Sequence, residues 1–154
     1  MSYLHGGEGS PVLLLHSTFW SRVWLPMLPK LAEDHAVFAP DYPGFGRSEG
    51  RLESKVATAP ALADLVLRMA DALGIEGAFA VAGHNIGGAV AQQVAVRGEG
   101  RVSRLALVNS VLYDSWPVPA LEQFRDDPEY ARNIPMEDDP EQVGRVLSDF
   151  FVET

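Results

Sequence analysis

The strongest constraint on this chain lies between residues 78 and 96. Ala78-Phe79-Ala80-Val81-Ala82 is a short, unbroken apolar run. It is followed by Gly83-His84-Asn85-Ile86-Gly87-Gly88 and then by the small-residue stretch Ala89-Val90-Ala91-Gln92-Gln93-Val94-Ala95-Val96. A run this short with no polar face reads as a strand buried on both sides. The small-residue stretch after it reads as a helix. Gly83, Gly87 and Gly88 are what a sharp strand-to-helix turn requires, because a tight turn leaves no room for flanking side chains and the helix must pass close to the strand. Asn85 sits at the apex, where the backbone is expected to take a positive φ that asparagine tolerates better than most residues. Glycine-rich turns of this kind also bind phosphate at helix N-termini, so the rest of the chain has to decide between uses.

Two further segments do so. Pro11-Val12-Leu13-Leu14-Leu15-His16 reads as a buried strand ending at His16, with a polar and aromatic loop after it, Ser17-Thr18-Phe19-Trp20-Ser21. Ala36-Val37-Phe38-Ala39-Pro40 reads as the next strand and runs into Asp41-Tyr42-Pro43-Gly44-Phe45-Gly46-Arg47-Ser48. The order and spacing of these three motifs resemble the N-terminal part of the α/β-hydrolase superfamily over roughly residues 3 to 114. The elbow pattern G-H-x-I-G-G is most similar to the epoxide hydrolase and dehalogenase-like branch.

The resemblance implies a partial α/β-hydrolase fold: a mostly parallel sheet with helices on both faces over residues 1–114, followed by the start of a helical cap over 115–154. It places Asn85 at the nucleophile position, where the family has Ser or Asp. Asn is a near-isostere of Asp, but a neutral carboxamide cannot form the alkyl-enzyme ester that a carboxylate forms. The implied oxyanion hole is the backbone N–H of Ile86 together with that of Thr18 or Phe19. Ser17 departs from the glycine that usually follows the loop histidine, which shifts the second donor. A Trp beside the nucleophile often helps dehalogenase-like members to hold halide. Here that neighbour is Ile86, which points away from haloalkane chemistry.

Phe19 and Trp20 are candidates for lining an apolar substrate pocket, and Trp24 reads as core on a helix face. Family members place the acid and histidine of the triad after the nucleophile. The four histidines, His5, His16, His35 and His84, all precede Asn85. His84 reads as packed beside the elbow, His16 as shaping its loop, and His5 and His35 as solvated turn residues. Asp41 and Arg47 flank the Pro-Gly-Phe-Gly turn and are expected to hold it by hydrogen bonds. Asp114 is the acid nearest the end of the last clear strand, Leu105-Ala106-Leu107-Val108, and reads as a turn residue.

Elsewhere the chain alternates strand and helix, which argues for a parallel sheet covered on both faces. Apolar residues at Trp24, Leu25, Leu28 and Leu31 predict a helix within 22–33 that starts near Pro26 or Pro29. Thr58-Ala59-Pro60 predicts an N-cap and first turn, with Gly74 as the stop. The balance of 47% apolar and 21% charged residues is that of a soluble globular chain.

A net charge of −9 without a basic cluster gives no electrostatic footprint for nucleic acid. With no membrane-length apolar stretch, membrane association is not expected either, and a small apolar molecule is the expected partner. The lack of cysteine excludes a thiol nucleophile, and the resemblance calls for no cofactor or metal. A cytoplasmic location is the default expectation. Two sheet strands that the family places after the cap do not follow in 154 residues. The reading is therefore a truncated, catalytically impaired hydrolase acting on a small apolar ester, epoxide or related substrate. The alternatives are a non-catalytic binder of a small ligand, or an interaction module that self-associates through an exposed sheet edge.

Overall fold

The computed structural model describes residues 1–17, 20–53, 57–110, 147, 150 and 151. Five strands form one sheet: β1 (Tyr3–Gly6), β2 (Ser10–Leu15), β3 (His35–Pro40), β4 (Phe79–His84) and β5 (Val102–Val108). Their order across the sheet is β1-β3-β2-β4-β5. β1 pairs antiparallel with β3, and every other pairing is parallel. Leu15 lies opposite Gly83, so β2 and β4 end side by side.

Alternation of side chains explains why the central strands are continuously apolar. In β2, Leu13 and Leu15 face one core while Val12 and Leu14 face the other; in β4, Phe79 and Val81 face the first and Ala80 and Ala82 the second. The first core is completed by α2 (Ala59–Ala72) and α3 (Ile86–Arg97), which contribute Leu62, Val66, Val90 and Val94. Arg97 of α3 forks onto the Asp64 carboxylate of α2 with two bonds of 2.8 Å. The second core is covered by a 3-10 helix (Ser21–Trp24) and the one-turn α1 (Leu28–Leu31), with Leu147 and Phe151 packed into the same group.

The helix expected within 22–33 is two short pieces. Pro26 falls in the break between them, and Pro29 occupies the first turn of α1, where its missing N–H is not needed. α2 follows the expected punctuation: Thr58 Oγ1 accepts from the Ala61 N–H at 3.4 Å, and Gly74 takes φ 73° just past the end.

Two histidines depart from their expected turns. His5 lies within β1, exposed, with its ring 4.7 Å from that of its cross-strand partner Phe38. His35 opens β3 and is buried, edge-on to Phe151 at 5.9 Å. One reason covers both: a single histidine in a short strand carries no periodicity of its own, and the ring it meets, Phe38 for His5 and Phe151 for His35, is remote in sequence.

The expected cap falls mostly outside the described residues, as does Asp114. Leu147 and Phe151, at the far end of that segment, pack on the sheet face. Arg104 of β5 donates to the Phe150 carbonyl at 2.7 Å.

Candidate active site

The carboxyl ends of β2 and β4 and the amino end of α3 meet at one place. β4 is buried along its whole length and ends at His84; α3 begins at Ile86. Asn85 joins them with φ 53° and ψ −119°, a conformation that costs roughly 1–3 kcal/mol and persists only where the surroundings impose it. Three bonds impose it here. The Asn85 N–H donates to the Val108 carbonyl at 3.2 Å, while its own carbonyl accepts from the Gly88 N–H at 3.0 Å and from the Ser110 hydroxyl at 3.2 Å. The side chain makes no capping bond to α3 and is only partly buried.

The glycine spacing has a direct steric cause. A methyl on Gly83 would run into the Gly87 backbone, one on Gly87 into the carbonyls of Leu15 and His16, and one on Gly88 into the Ser110 side chain. The turn therefore presses α3 onto the end of β2 as well as onto β4. Ile86, the first residue of α3, has an N–H with no acceptor inside the helix.

The segment after β2 is tied to the turn after β3. The Tyr42 N–H donates to His16 Nε2 at 3.1 Å, which leaves the imidazole proton on Nδ1, facing the Ser17 carbonyl. His16 is fully buried, its ring 4.3 Å from that of Tyr42. Burial pushes its pKa below the ordinary histidine value, against the opposing pull of Ser17 and the Asp41 charge. Asp41 is also buried. Burial alone would raise its carboxyl, but bonds from the Arg47 and Ser21 N–H groups and from the Ser21 and Ser2 hydroxyls outweigh it and hold the carboxyl below its usual range. Asp41 thus holds its turn as expected, and Arg47 takes part through its backbone N–H at 3.0 Å.

Asn85 and Ile86 are brought together at the turn. Thr18 and Phe19 lie outside the described residues. Trp20 is 39% exposed and carries φ 49°, an outlier for so bulky a residue. Trp24 is a core residue, fully buried and edge-on to the His84 ring at 6.3 Å. His84 is buried beside the elbow, and desolvation lowers its pKa. Sequence reasoning passed over Ser110 and Tyr42. A lone serine after a strand gives no signal, and nothing in the sequence marks Tyr42 as a partner of His16. The Tyr42 phenol is buried in the first core, which pushes its pKa far up.

A parallel sheet whose strand turns into a helix through a strained, partly exposed polar residue at its carboxyl end is the arrangement of an α/β-hydrolase-type site. The family model described as alpha/beta hydrolase fold matches residues 3–154, and the chain belongs to that family. It is 42% identical over 108 residues to the dihydrolipoyllysine-residue acetyltransferase component of an acetoin cleaving system from Cupriavidus necator, covering 69% of this chain and 28% of that protein. It is 33% identical over 130 residues to a soluble epoxide hydrolase of a Corynebacterium species, covering 77% and 43%. A solved epoxide hydrolase structure without ligand superposes with a TM-score of 0.68 at 31% identity, covering 80% of this chain and 45% of that one. The chain therefore spans less than half the length of these relatives.

Two outcomes test the site's architecture. Gly87→Ala is expected to destabilise the fold by about 1–3 kcal/mol or more through overpacking. Gly77→Ala, where an added methyl meets nothing within 4 Å, is expected to leave the urea midpoint nearly unchanged. The second outcome concerns pH. His16 and His84 have folded pKa values below their unfolded ones, so the unfolded chain binds more protons as pH falls below about 6.5 and stability declines. Loss of the Asp41 carboxylate, also depressed, adds to this at lower pH. Urea midpoints should be level near about pH 8 and lower by about pH 5. His16→Gln is expected to flatten part of that slope.

Proposed function

We propose that this chain carries the elbow half of a hydrolase-type site for a small apolar ester, epoxide or related molecule, with Asn85 at the position of the nucleophile. The observation that carries the reading is the backbone of Asn85, held at φ 53° between β4 and the first residue of α3. Its side chain makes no capping bond to the helix, and the Ile86 N–H has no acceptor inside it. In this reading Ile86 is one oxyanion donor, a second comes from Thr18 or Phe19, and Phe19 and Trp20 line the apolar side of the site. The name of the similar epoxide hydrolase supports an epoxide among the candidates.

Asn85 lacks the charge of an attacking carboxylate, so the chain binds such a molecule without opening it. Loss of a nucleophile lowers kcat by up to ~10⁶, with ~10³–10⁴ over water left to the oxyanion hole and binding. Among the described residues no helix is long and apolar enough to cross a membrane, and this reading places the protein in the cytoplasm.

The test is made on the protein expressed from its complete gene. Asn85→Asp, incubated with styrene oxide, is expected to gain a covalent adduct visible by intact mass, whereas the Asn85 protein forms none. Absence of adduct in Asn85→Asp, with the fold intact, removes the epoxide reading. Adduct formation with an aryl ester by Asn85→Ser alone would move the site to serine-type ester hydrolysis.

A second reading has its own observation. β5 lies at the sheet edge, no strand among the described residues pairs with its outer side, and its Leu107 is 39% exposed. Such an edge is a template for pairing with another chain. Light scattering that gives a dimer, weakened by Leu107→Lys, would favour sheet completion between copies; a stable monomer rejects it.

A further inference from the structure

The consecutive residues Asp41 and Tyr42 grip the segment between β2 and the 3-10 helix at both of its described ends. At the near end, the Tyr42 N–H is received by His16 Nε2 at 3.1 Å. At the far end, the Ser21 N–H is received by Asp41 Oδ1 at 2.9 Å, immediately after Trp20 with its φ of 49°. The grip is itself anchored. Asp41 Oδ2 accepts from the Arg47 N–H and the Ser2 hydroxyl, both at 3.0 Å. The Ser48 hydroxyl donates to the Asp41 carbonyl at 2.6 Å, and the Ser2 N–H donates to that hydroxyl at 2.7 Å.

The gripped segment adjoins the elbow. The His16 carbonyl lies where a Gly87 methyl would go, and Trp24, at the end of the 3-10 helix, lies against His84. A buried imidazole that accepts one bond and offers its remaining proton to the next carbonyl works only when neutral. Among the described residues, the groups facing it are the Asp41 carboxylate and the rings of Tyr42 and Phe45.

We propose that His16 and Asp41 are positioning residues, which act through the two ends of this segment to hold the backbone leaving β2 against the elbow for ligand binding. The proposal rests on the reading of the elbow as a binding site. Geometry sets its chemical demands. Both Asp41 oxygens accept N–H bonds, so Asp41→Asn must turn an amide NH₂ toward one donor and lose that bond. His16→Gln can still present an oxygen to the Tyr42 N–H; His16→Phe cannot.

The test combines amide hydrogen exchange with quenching of tryptophan fluorescence by styrene oxide, both on the Asn85 protein. In Asp41→Ala, which leaves neither N–H an acceptor, the Ser21 amide is expected to exchange roughly 10-fold faster or more, and in His16→Phe the Tyr42 amide likewise, while amides within α2 and α3 keep their protection. Styrene oxide affinity should fall in both variants and recover in His16→Gln, a rescue that mere filling of space would not produce. Unchanged exchange at Ser21 and Tyr42 overturns the proposal, as does equal behaviour of His16→Gln and His16→Phe. Should His16→Phe fail to fold, the protein carrying His16 is read at about pH 8 and about pH 5. Lower protection of the Tyr42 amide at the lower pH, taken relative to the intrinsic exchange rate at each pH and absent in His16→Gln, supports the grip, and equal protection changes in both overturn it. Altered exchange without any styrene oxide binding by the parent protein would leave the grip standing and reject the binding site instead.

Discussion

Helix α3 can approach β2 and β4 as closely as it does only because Gly83, Gly87 and Gly88 carry no side chains. That approach decides most of what happens at the carboxyl end of the sheet. It brings the Leu15 and His16 carbonyls against the first turn of α3, forces the backbone of Asn85 into positive φ, and stands the first helical N–H groups beside the carboxyl ends of β2 and β4. The strain at Asn85 is met by three bonds that reach the end of β5 and the first turn of α3. A packed core on both faces of β4 prevents the turn from relaxing into a longer, looser connection.

The second dependence is electrostatic. A loop leaving a buried strand brings backbone groups away from water, and each must find a partner or cost free energy. Here they are satisfied by a buried imidazole and a buried carboxylate. Both are kept in the state that accepts: neutral for His16, ionised for Asp41. The directions of their pKa shifts follow from opposite balances. For His16 desolvation wins, because it has only one neighbouring carbonyl and one carboxylate to favour the cation. For Asp41 the gathered N–H and hydroxyl donors win over desolvation.

Much of this was legible from residue order, for physical reasons that also mark where legibility stops. The elbow could be read because its constraint is local: glycine at fixed spacing and an apolar run with no polar face. The parallel sheet could be read because strands buried on both faces leave unbroken apolar runs, as in Leu13-Leu14-Leu15 and Ala80-Val81-Ala82. β1 was not legible, since Tyr3–Gly6 is a half-exposed edge whose pairing depends on Phe38 and its neighbours more than thirty residues away. The broken helix of 21–31 shows local and tertiary demands in conflict. Trp24, Leu28 and Leu31 have helical spacing, but Pro26 falls between the two pieces, and the first ends as a 3-10 turn with Trp24 buried beside His84. His16 was readable as a loop-shaping residue, yet its partner Tyr42 was not. A backbone N–H has no signature in a sequence.

The same locality separates what a change at position 85 can remove from what it cannot. The elbow's geometry belongs to glycines and backbone bonds, so any residue that tolerates positive φ inherits it. The amino end of α3 carries the positive end of the helix dipole, about half an elementary charge, and favours negative charge beside it. An aspartate at position 85 would be stabilised there as its carboxylate and would hold a charged nucleophile at the strand end. Asn85 keeps the shape and gives up the charge, and it does not use its side chain to cap the helix either. The field at that end therefore remains directed at whatever occupies the space beside Asn85. Under the proposed binding role, a ligand oxygen with partial negative charge would meet that field without competition from a protein anion at position 85.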